Sequence, residues 1–308
     1  MKPELLISVV ICTRNRAEPL RVELAHYQSI ITSGLFKFST TAPQTTRLKS
    51  SRHFNRGGLP VLANICARPG LCRAREYGKQ VASGIFLIFT DDDCYPAPSF
   101  IHLYCQLLAE NTNVDFFGGR ILLWDENDTR ITVDYRTEPD AYPTHMLAQP
   151  GQLQGGNIAI RRDVLDAIGG FDVNMGAGTP YPCEDIDLIA RALMHGSSGP
   201  DPVIFHQHRR KEEQVPAAVR LSYAKGRSAY IMKYFYAPQT RGVAASNCYW
   251  YWKLRSVARD ALRLRRPALL REPWVEVNSA HSYLLSGNYA HRPRSAPAPK
   301  PTNLQTPP

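Results

Sequence analysis

Ile85-Phe-Leu-Ile-Phe-Thr90 runs directly into Asp91-Asp92-Asp93. A short apolar run rich in Ile and Phe, without a turn former, reads as a strand buried on both faces of a sheet. Adjacent carboxylates repel one another, so ending a buried strand on three of them is costly unless a cation balances the charge. In open α/β sheets, ligands bind at the carboxyl ends of the strands. A hard divalent ion, Mg2+ or Mn2+, is typically held by one or two carboxylates plus substrate phosphates. On an extended backbone, alternation sends Asp91 and Asp93 to one side and Asp92 to the other. The plainer reading is a solvated acidic turn ahead of the next helix, and the position at a strand end favours the cation.

Working outward, Leu5 to Cys12 is a second apolar run, and it ends in the polar loop Thr13-Arg14-Asn15-Arg16. Pro19 suits the first turn of a helix reaching about Ile30. Phe36 to Ser39 makes a poor strand, Thr45 to Asn55 a short basic helix, and Leu59 to Cys66 another strand. Leu71 to Ala82 has helical spacing and is closed by Ser83-Gly84. Downstream, Pro96 and Pro98 open a helix to Glu110, and Val114 to Leu123 contains a strand. Trp124 to Gln154 is polar and irregular. Asn157 to Ile160 is a short strand, Arg162 to Ile168 a helix, Glu184 to His195 an amphipathic helix, and Val203 to Phe205 a strand.

Alternation of strand and helix predicts an α/β fold, with a mainly parallel central sheet flanked by helices. The chain beyond is helical and basic, and its end is rich in Pro, Ala and Ser. We therefore expect an α/β domain over 1–210, a helical C-terminal extension over 211–290 packed on it, and a disordered tail over 291–308.

Composition bounds the setting. Lys and Arg number 37 against 27 Asp and Glu in 308 residues, a net charge of +10. That excess suits nucleic acid, an anionic membrane or a phosphorylated ligand, and charge alone does not choose. The 7 Cys are scattered and form no Cys-x-x-Cys pair, so neither a zinc cluster nor a disulfide framework is expected. No apolar run is long enough to span a bilayer, and Met1 to Glu4 is too short and polar for a signal peptide. A cytoplasmic protein is expected, with peripheral contact at the inner face of the membrane left open. Tyr249-Trp-Tyr-Trp252 with Arg255, Arg259, Arg263, Arg265 and Arg266 could stack bases, lie on anionic lipid, or simply pack as a helix with a solvated basic face. We prefer lipid to nucleic acid.

Four further clusters carry chemistry. Glu184-Asp185 opens a helix whose positive end favours a carboxylate, so Asp185 can take a proton from a hydroxyl; first-turn dipole complementarity alone would also explain the pair. Arg14 and Arg16 follow the first strand and Arg73 and Arg75 begin a helix, all near the ligand edge, where guanidinium groups suit phosphate. Gly155-Gly156-Asn157 lets backbone approach a ligand, with Asn157 able to bond a sugar hydroxyl, or it is a tight turn. His206-x-His208-Arg209-Arg210 could ligate metal, touch a diphosphate, or form a plain anion site.

Taken in order, these motifs resemble the family-2 glycosyltransferases of the GT-A (Rossmann-like) fold. The pieces are Thr13-Arg14-Asn15-Arg16, Arg68-Pro-Gly-Leu-Cys-Arg-Ala-Arg75, Phe89-Thr-Asp-Asp-Asp93, Gly155-Gly-Asn-Ile-Ala-Ile-Arg-Arg162, Gly169-Gly-Phe-Asp172 and Glu184-Asp-Ile-Asp-Leu188. The match covers Leu5 to Arg210. It implies inverting transfer of a sugar from a nucleotide diphosphate donor to an acceptor hydroxyl, in cell envelope or polysaccharide biosynthesis. Asp91 and Asp93 match the D-x-D positions for nucleotide and metal (Mg2+ or Mn2+), and Asp185 matches the catalytic base. Donor contacts are implied for Thr13, Arg14, Arg75, Asp91, Asp92, Gly156, Asn157 and Glu184. The acceptor would be a glycan, a lipid-linked molecule or a small molecule, with no nucleic-acid partner.

The sequence departs from the family pattern in three places. Thr40 and Thr41 stand where the second strand usually ends in an acid, Glu76 where Asn is common, and Cys183 where Gly is frequent. The alternative function is a degenerate relative that binds nucleotide or glycan without turnover.

Overall fold

The computed structural model describes residues 7–30, 36–42, 61–66, 68–110, 115–135, 153–193, 202–211, 217–236, 255, 257–259, 262–263 and 271–287. Strand β1 (Ile7–Cys12) is buried throughout, and β4 (Phe86–Asp91) is buried up to its last residue. Both faces of β1 meet core. Val10 and Cys12 belong to one apolar cluster, and Ile7, Val9 and Ile11 to the other. A strand covered on both sides needs no polar alternation, which is why these runs are continuously apolar.

β1 pairs in parallel with β2 (Phe36–Ala42) on one side and β4 on the other, and β2 pairs in parallel with β3 (Val61–Ile65). Beyond β4 come β8 (Ile158–Arg161) and β6 (Phe116–Gly118), giving the order β3-β2-β1-β4-β8-β6. β8 is antiparallel to both neighbours, so it alone in this sheet runs against the common direction. That reversal brings Gly155 and Gly156, at the entrance of β8, beside the carboxyl end of β4, where Phe89 faces Ile158.

Three local expectations are corrected. The second strand is seven residues long rather than ending at Ser39, and it pairs along its length with β1. Neighbours on both sides supply ladder bonds that its weak propensity does not predict. The single strand expected within Val114 to Leu123 is two, β6 and β7 (Arg120–Leu123), broken at Gly119 and placed in different sheets. A small second sheet, β5-β9-β7, was not foreseen. It joins β5 (Cys94–Pro96) and β9 (Val203–His206) to β7. Pro96 is therefore the last residue of an edge strand, where its missing N–H costs no ladder bond, and the helix expected from it starts later, as α3 (Phe100–Glu110).

Helices α1 (Ala17–Ile30) and α3 cover one face of the large sheet through Leu20, Leu24, Phe100 and Tyr104. The other face is covered by α4 (Arg162–Ala167) and α5 (Glu184–Leu193), with Leu165, Leu188 and Ile189 in its core cluster. Helix α2 (Leu71–Val81) contacts β1 and β2, and Cys72 joins the second cluster. Arg162 closes α2 by donating to the carbonyls of Lys79, Ala82 and Gly84 at 2.8–2.9 Å, satisfying groups that a helix end leaves unpaired.

From the C-terminal part, α6 (Ala217–Tyr236) sends Tyr230, Ile231 and Tyr234 into the same cluster as α5. It also packs on α7 (Arg271–Leu285). Among the described residues, no helix is long and apolar enough to cross a membrane. The basic helix expected over Thr45 to Asn55, the aromatic run Tyr249 to Trp252 and the tail 291–308 lie outside the described residues.

Candidate active site

A cavity of about 710 Å³ opens where β1 and β4 end, walled by the loops before α2, β8 and α5 and by α6. Of the expected residues, Thr13, Arg14, Arg75, Asp91, Asp92, Asp93, Gly156, Glu184 and Asp185 line it. Asn157 does not. It is fully buried, its Oδ1 accepting from the Tyr104 hydroxyl at 2.7 Å and its Nδ2 donating to the carbonyls of Arg120 and Pro202. Its amide fastens β8 to the second sheet, which corrects the expectation of a sugar contact.

The three aspartates do not alternate as an extended strand would have them. β4 stops at Asp91, and residues 92 and 93 form a turn. Asp91 takes a hydrogen bond from Arg75 Nη2 at 3.0 Å. Asp92 accepts from the Thr13 hydroxyl at 2.5 Å and pairs with Arg16 at 2.7 Å. Burial pushes its carboxyl up to about 6, against the pull of Thr13 and Arg16. Asp93 is also buried, but His206 and Arg16 outweigh that and hold it down at about 2. The neighbouring carboxyls are thus driven apart: Asp93 is the firm anion, and Asp92 is engaged with β1's loop.

Asp93 Oδ1 lies 3.6 Å from His206 Nε2, with the Cys94 thiol beside them, the three ligand atoms within 4.8 Å of one another. Burial pushes the Cys94 thiol well up, so it presents a neutral S–H. A carboxylate and an imidazole suit a hard-to-borderline divalent ion such as Mn2+ or Mg2+, and the donor set fits one. His208, the other histidine of the pair, is not part of this group. It bonds the Thr129 carbonyl at 3.0 Å and faces Asp128.

Arg75 is the centre of the floor. Its side chain is 1% exposed. Nη2 also donates to the Gly155 carbonyl at 3.1 Å, Nη1 reaches Glu184 at 3.5 Å, and the guanidinium lies over the Phe171 ring. It joins β4, the β8 entrance and α5. Burial, with Asp185 adjacent, raises Glu184 to about 7 despite Arg75, whose shorter bond goes to Asp91. Arg73, by contrast, bonds the Pro69 carbonyl and is absent from the cavity wall.

Asp185 is half-buried. One oxygen accepts from the Gly155 N–H at 3.1 Å and the other from the Ile186 N–H at 2.8 Å. Gly155 is required there: a Cβ would stand 2.8 Å from that of Asp185 and 3.0 Å from Arg75 Nη1. Asp187, two residues on, is fully buried and pairs with Arg191 and Lys233.

No family model matches this sequence, and no curated protein matches it. Solved structures do. A mannosyltransferase from Pyrobaculum calidifontis, PcManGT, solved with GDP-Man and Mn2+, aligns over 92% of this chain and 75% of its own, at TM-score 0.55 and 18% identity. Residues 1–349 of S. aureus TarS, solved with UDP-GlcNAc, align over 91% of this chain and 81% of that one, at TM-score 0.62 and 15% identity. The fold is that of the GT-A glycosyltransferases. GalNAc-T7, solved with UDP, GalNAc and Mn2+, shares it over 77% of this chain and 51% of its own, at TM-score 0.52 and 17% identity.

Within this GT-A fold, two departures from the motif pattern have local causes. Glu76 accepts from the Phe171 N–H at 2.6 Å and so ties α2 to the Gly169-Gly170 turn. Cys183 is buried in the core below α5. Sequence reasoning missed Ile131 and Thr132, which line the cavity from the stretch without a motif, and Tyr223 and Arg227 of α6. The one signal for α6 was Gly226 inside a helix, which marks close approach of another backbone.

Proposed function

We propose that this chain is an inverting, metal-dependent glycosyltransferase of the family-2 type, moving a sugar from a nucleoside diphosphate donor to an acceptor hydroxyl. The observation that carries the reading is the convergence of Asp93 and His206 on one wall of the cavity and Asp185 on another. The GT-A neighbours solved with nucleotide sugars or Mn2+ support it.

A divalent ion, Mg2+ or Mn2+, held by Asp93 and His206, would stabilise charge on the departing diphosphate, with Asp91, bonded to Arg75, lining the same cavity. Arg14 at the rim, with Arg16, adds cationic field for the same phosphates. Arg75, Thr13, Asp92 and Glu184 already engage one another or their neighbours, so they act as the floor that holds Asp91 and Gly155 in place. Gly156 lets the donor approach β8 closely.

Asp185 is the base. Two backbone N–H groups fix its carboxylate, and its remaining lone pairs are free to take the acceptor hydroxyl's proton. The hydroxyl oxygen then attacks the anomeric carbon opposite the leaving diphosphate, and one displacement inverts that centre. The acceptor, a glycan, a lipid-linked molecule or a small molecule, enters past Tyr223 and Arg227 of α6. Peripheral contact with anionic lipid, at the inner face of the membrane, is part of the same proposal; co-sedimentation with anionic vesicles at low salt tests it.

The deciding experiment incubates purified protein with Mn2+ and a panel of nucleotide-sugars and measures released nucleoside diphosphate. Metal-dependent release, abolished by Asp93→Ala and Asp185→Asn, is expected. Release that survives both substitutions, or no binding of any nucleotide, would refute the reading.

A further inference from the structure

The cavity wall opposite α5 holds a residue that the transfer reaction does not by itself explain. Thr132 has φ 52. That is the left-handed region, where a β-branched side chain is an outlier, and such strain persists only where the surroundings impose it. Here they do. Ile131 N–H donates to the Thr129 carbonyl and Asp134 N–H to the Ile121 carbonyl, both at 2.7 Å. Thr129 N–H bonds the Arg210 carbonyl at 2.8 Å, and the Thr129 carbonyl receives His208. The loop is pinned to β7 and to the segment after β9 on either side of Thr132.

The hydroxyl at the apex has a single proton, and it goes to the Ile131 carbonyl at 2.7 Å. Towards His206 Nδ1, 3.1 Å away, Thr132 Oγ1 can therefore only accept. That placement of the proton puts a hydrogen on Nδ1 of His206. Nε2 is then the atom facing Asp93 at 3.6 Å: as an N–H it donates towards the carboxylate, and with a divalent ion between the two it offers its lone pair to the metal. Metal-bound histidines characteristically donate their other N–H to such a partner.

We propose that Thr132 is a positioning residue: its hydroxyl selects the His206 tautomer and ring orientation that present Nε2 to the divalent ion. The strained backbone is the means by which the hydroxyl reaches Nδ1. The inference rests on the metal reading given above and goes beyond it by naming what sets the ligand.

The test is Mn2+ binding by the purified full chain, without donor or acceptor, followed by electron paramagnetic resonance. Pulsed measurement of nitrogen coupling to Mn2+ accompanies it. The wild type and Thr132→Ser, which keeps the hydroxyl, should bind alike and show imidazole nitrogen coupling. Thr132→Val, which keeps the branched shape, should bind roughly 10-fold or more weakly, with the coupling reduced. Thr132→Gly should weaken binding as much, and because glycine adopts positive φ without strain, its loss is not a folding defect. Wild-type affinity and coupling in the Val or Gly variant would overturn the proposal, as would a Ser variant as weak as Val. Asp93→Ala and His206→Ala separate the two layers. If they abolish binding while Thr132→Val does not, only the role of Thr132 fails; if they leave it unchanged, the metal reading fails and Thr132 with it.

Discussion

A Cβ on Gly226 would stand 1.9 Å from the carbonyl oxygen of Pro182. Helix α6 thus rests on the backbone just ahead of Glu184 and Asp185. Gly→Ala inside a helix normally stabilises by about 1 kcal/mol. At 226 the contact reverses the sign, and Gly226→Ala should cost about 1–3 kcal/mol by overpacking. Because the displaced loop leads into Asp185, the proposed base, kcat should fall more than donor affinity. Urea melts and steady-state kinetics with saturating donor check both halves.

Lys233 Nζ lies 2.8 Å from Asp172 and 2.6 Å from Asp187, all three side chains almost completely buried. Removing one partner of such a cluster leaves an uncompensated charge, so Lys233→Met should cost about 3–5 kcal/mol. Burial pushes Asp187 up, but Arg191 and Lys233 outweigh it and hold it at about 2, below its ordinary 3.8. A depressed carboxyl contributes stability that is present above 3.8 and lost as pH falls towards 2. Asp187→Asn should therefore flatten that part of the acid-unfolding curve. Denaturation followed from pH 5 to pH 2 would show the difference.

Glu184 gives the opposite sign. Burial, with Asp185 adjacent, lifts it from 4.5 to about 7. Between those values the folded chain holds a proton that the unfolded chain has lost. Its contribution to stability is full below 4.5, declines as pH rises, and is gone above about 7. Glu184→Gln removes the titration, so the variant should gain on the wild type between pH 4.5 and pH 7.5. A stability difference that stays constant across that window, in parallel guanidinium titrations, would contradict the assignment.

Asn157→Ala should act on folding and leave the donor alone. The change removes one partner from the Arg120 and Pro202 carbonyls and from the Tyr104 hydroxyl, at about 1–3 kcal/mol for each group that ends unsatisfied. The melting temperature should drop. The KM for donor, measured below the transition, should stay within error of the wild type.

Much of this architecture was legible in the residues. The runs at Ile7 and Phe86 are apolar on both faces because both faces are covered, and that pattern alone places them at the centre of a parallel sheet. The acid triplet announced itself as charge at the end of a buried strand, and Glu184-Asp185 as carboxylates opening a helix. What stayed hidden depends on pairing. Cys94 to Pro96 becomes a strand only because β9, more than a hundred residues later, lies beside it. Likewise β2 is extended by neighbours that its own Thr and Lys residues do not suggest. Asn157 looked like a ligand contact because a buried structural amide and a functional one have the same sequence signature. Thr132 had no signature at all, since a strained φ is invisible before the loop is closed.

The ion cluster beneath α5 also sets a timetable for synthesis. Translation delivers Asp172, in the loop after Gly170, and Asp187, in α5, well before Lys233, and until that lysine has left the ribosome the two carboxylates have one cation, Arg191, which pairs with Asp187. Chains emerge N-terminus first, and units fold as they are completed. The sheet can form on the nascent chain before the charges beneath α5 are balanced. Docking of α6 then brings Lys233 to Asp172 and Asp187 and balances the cluster.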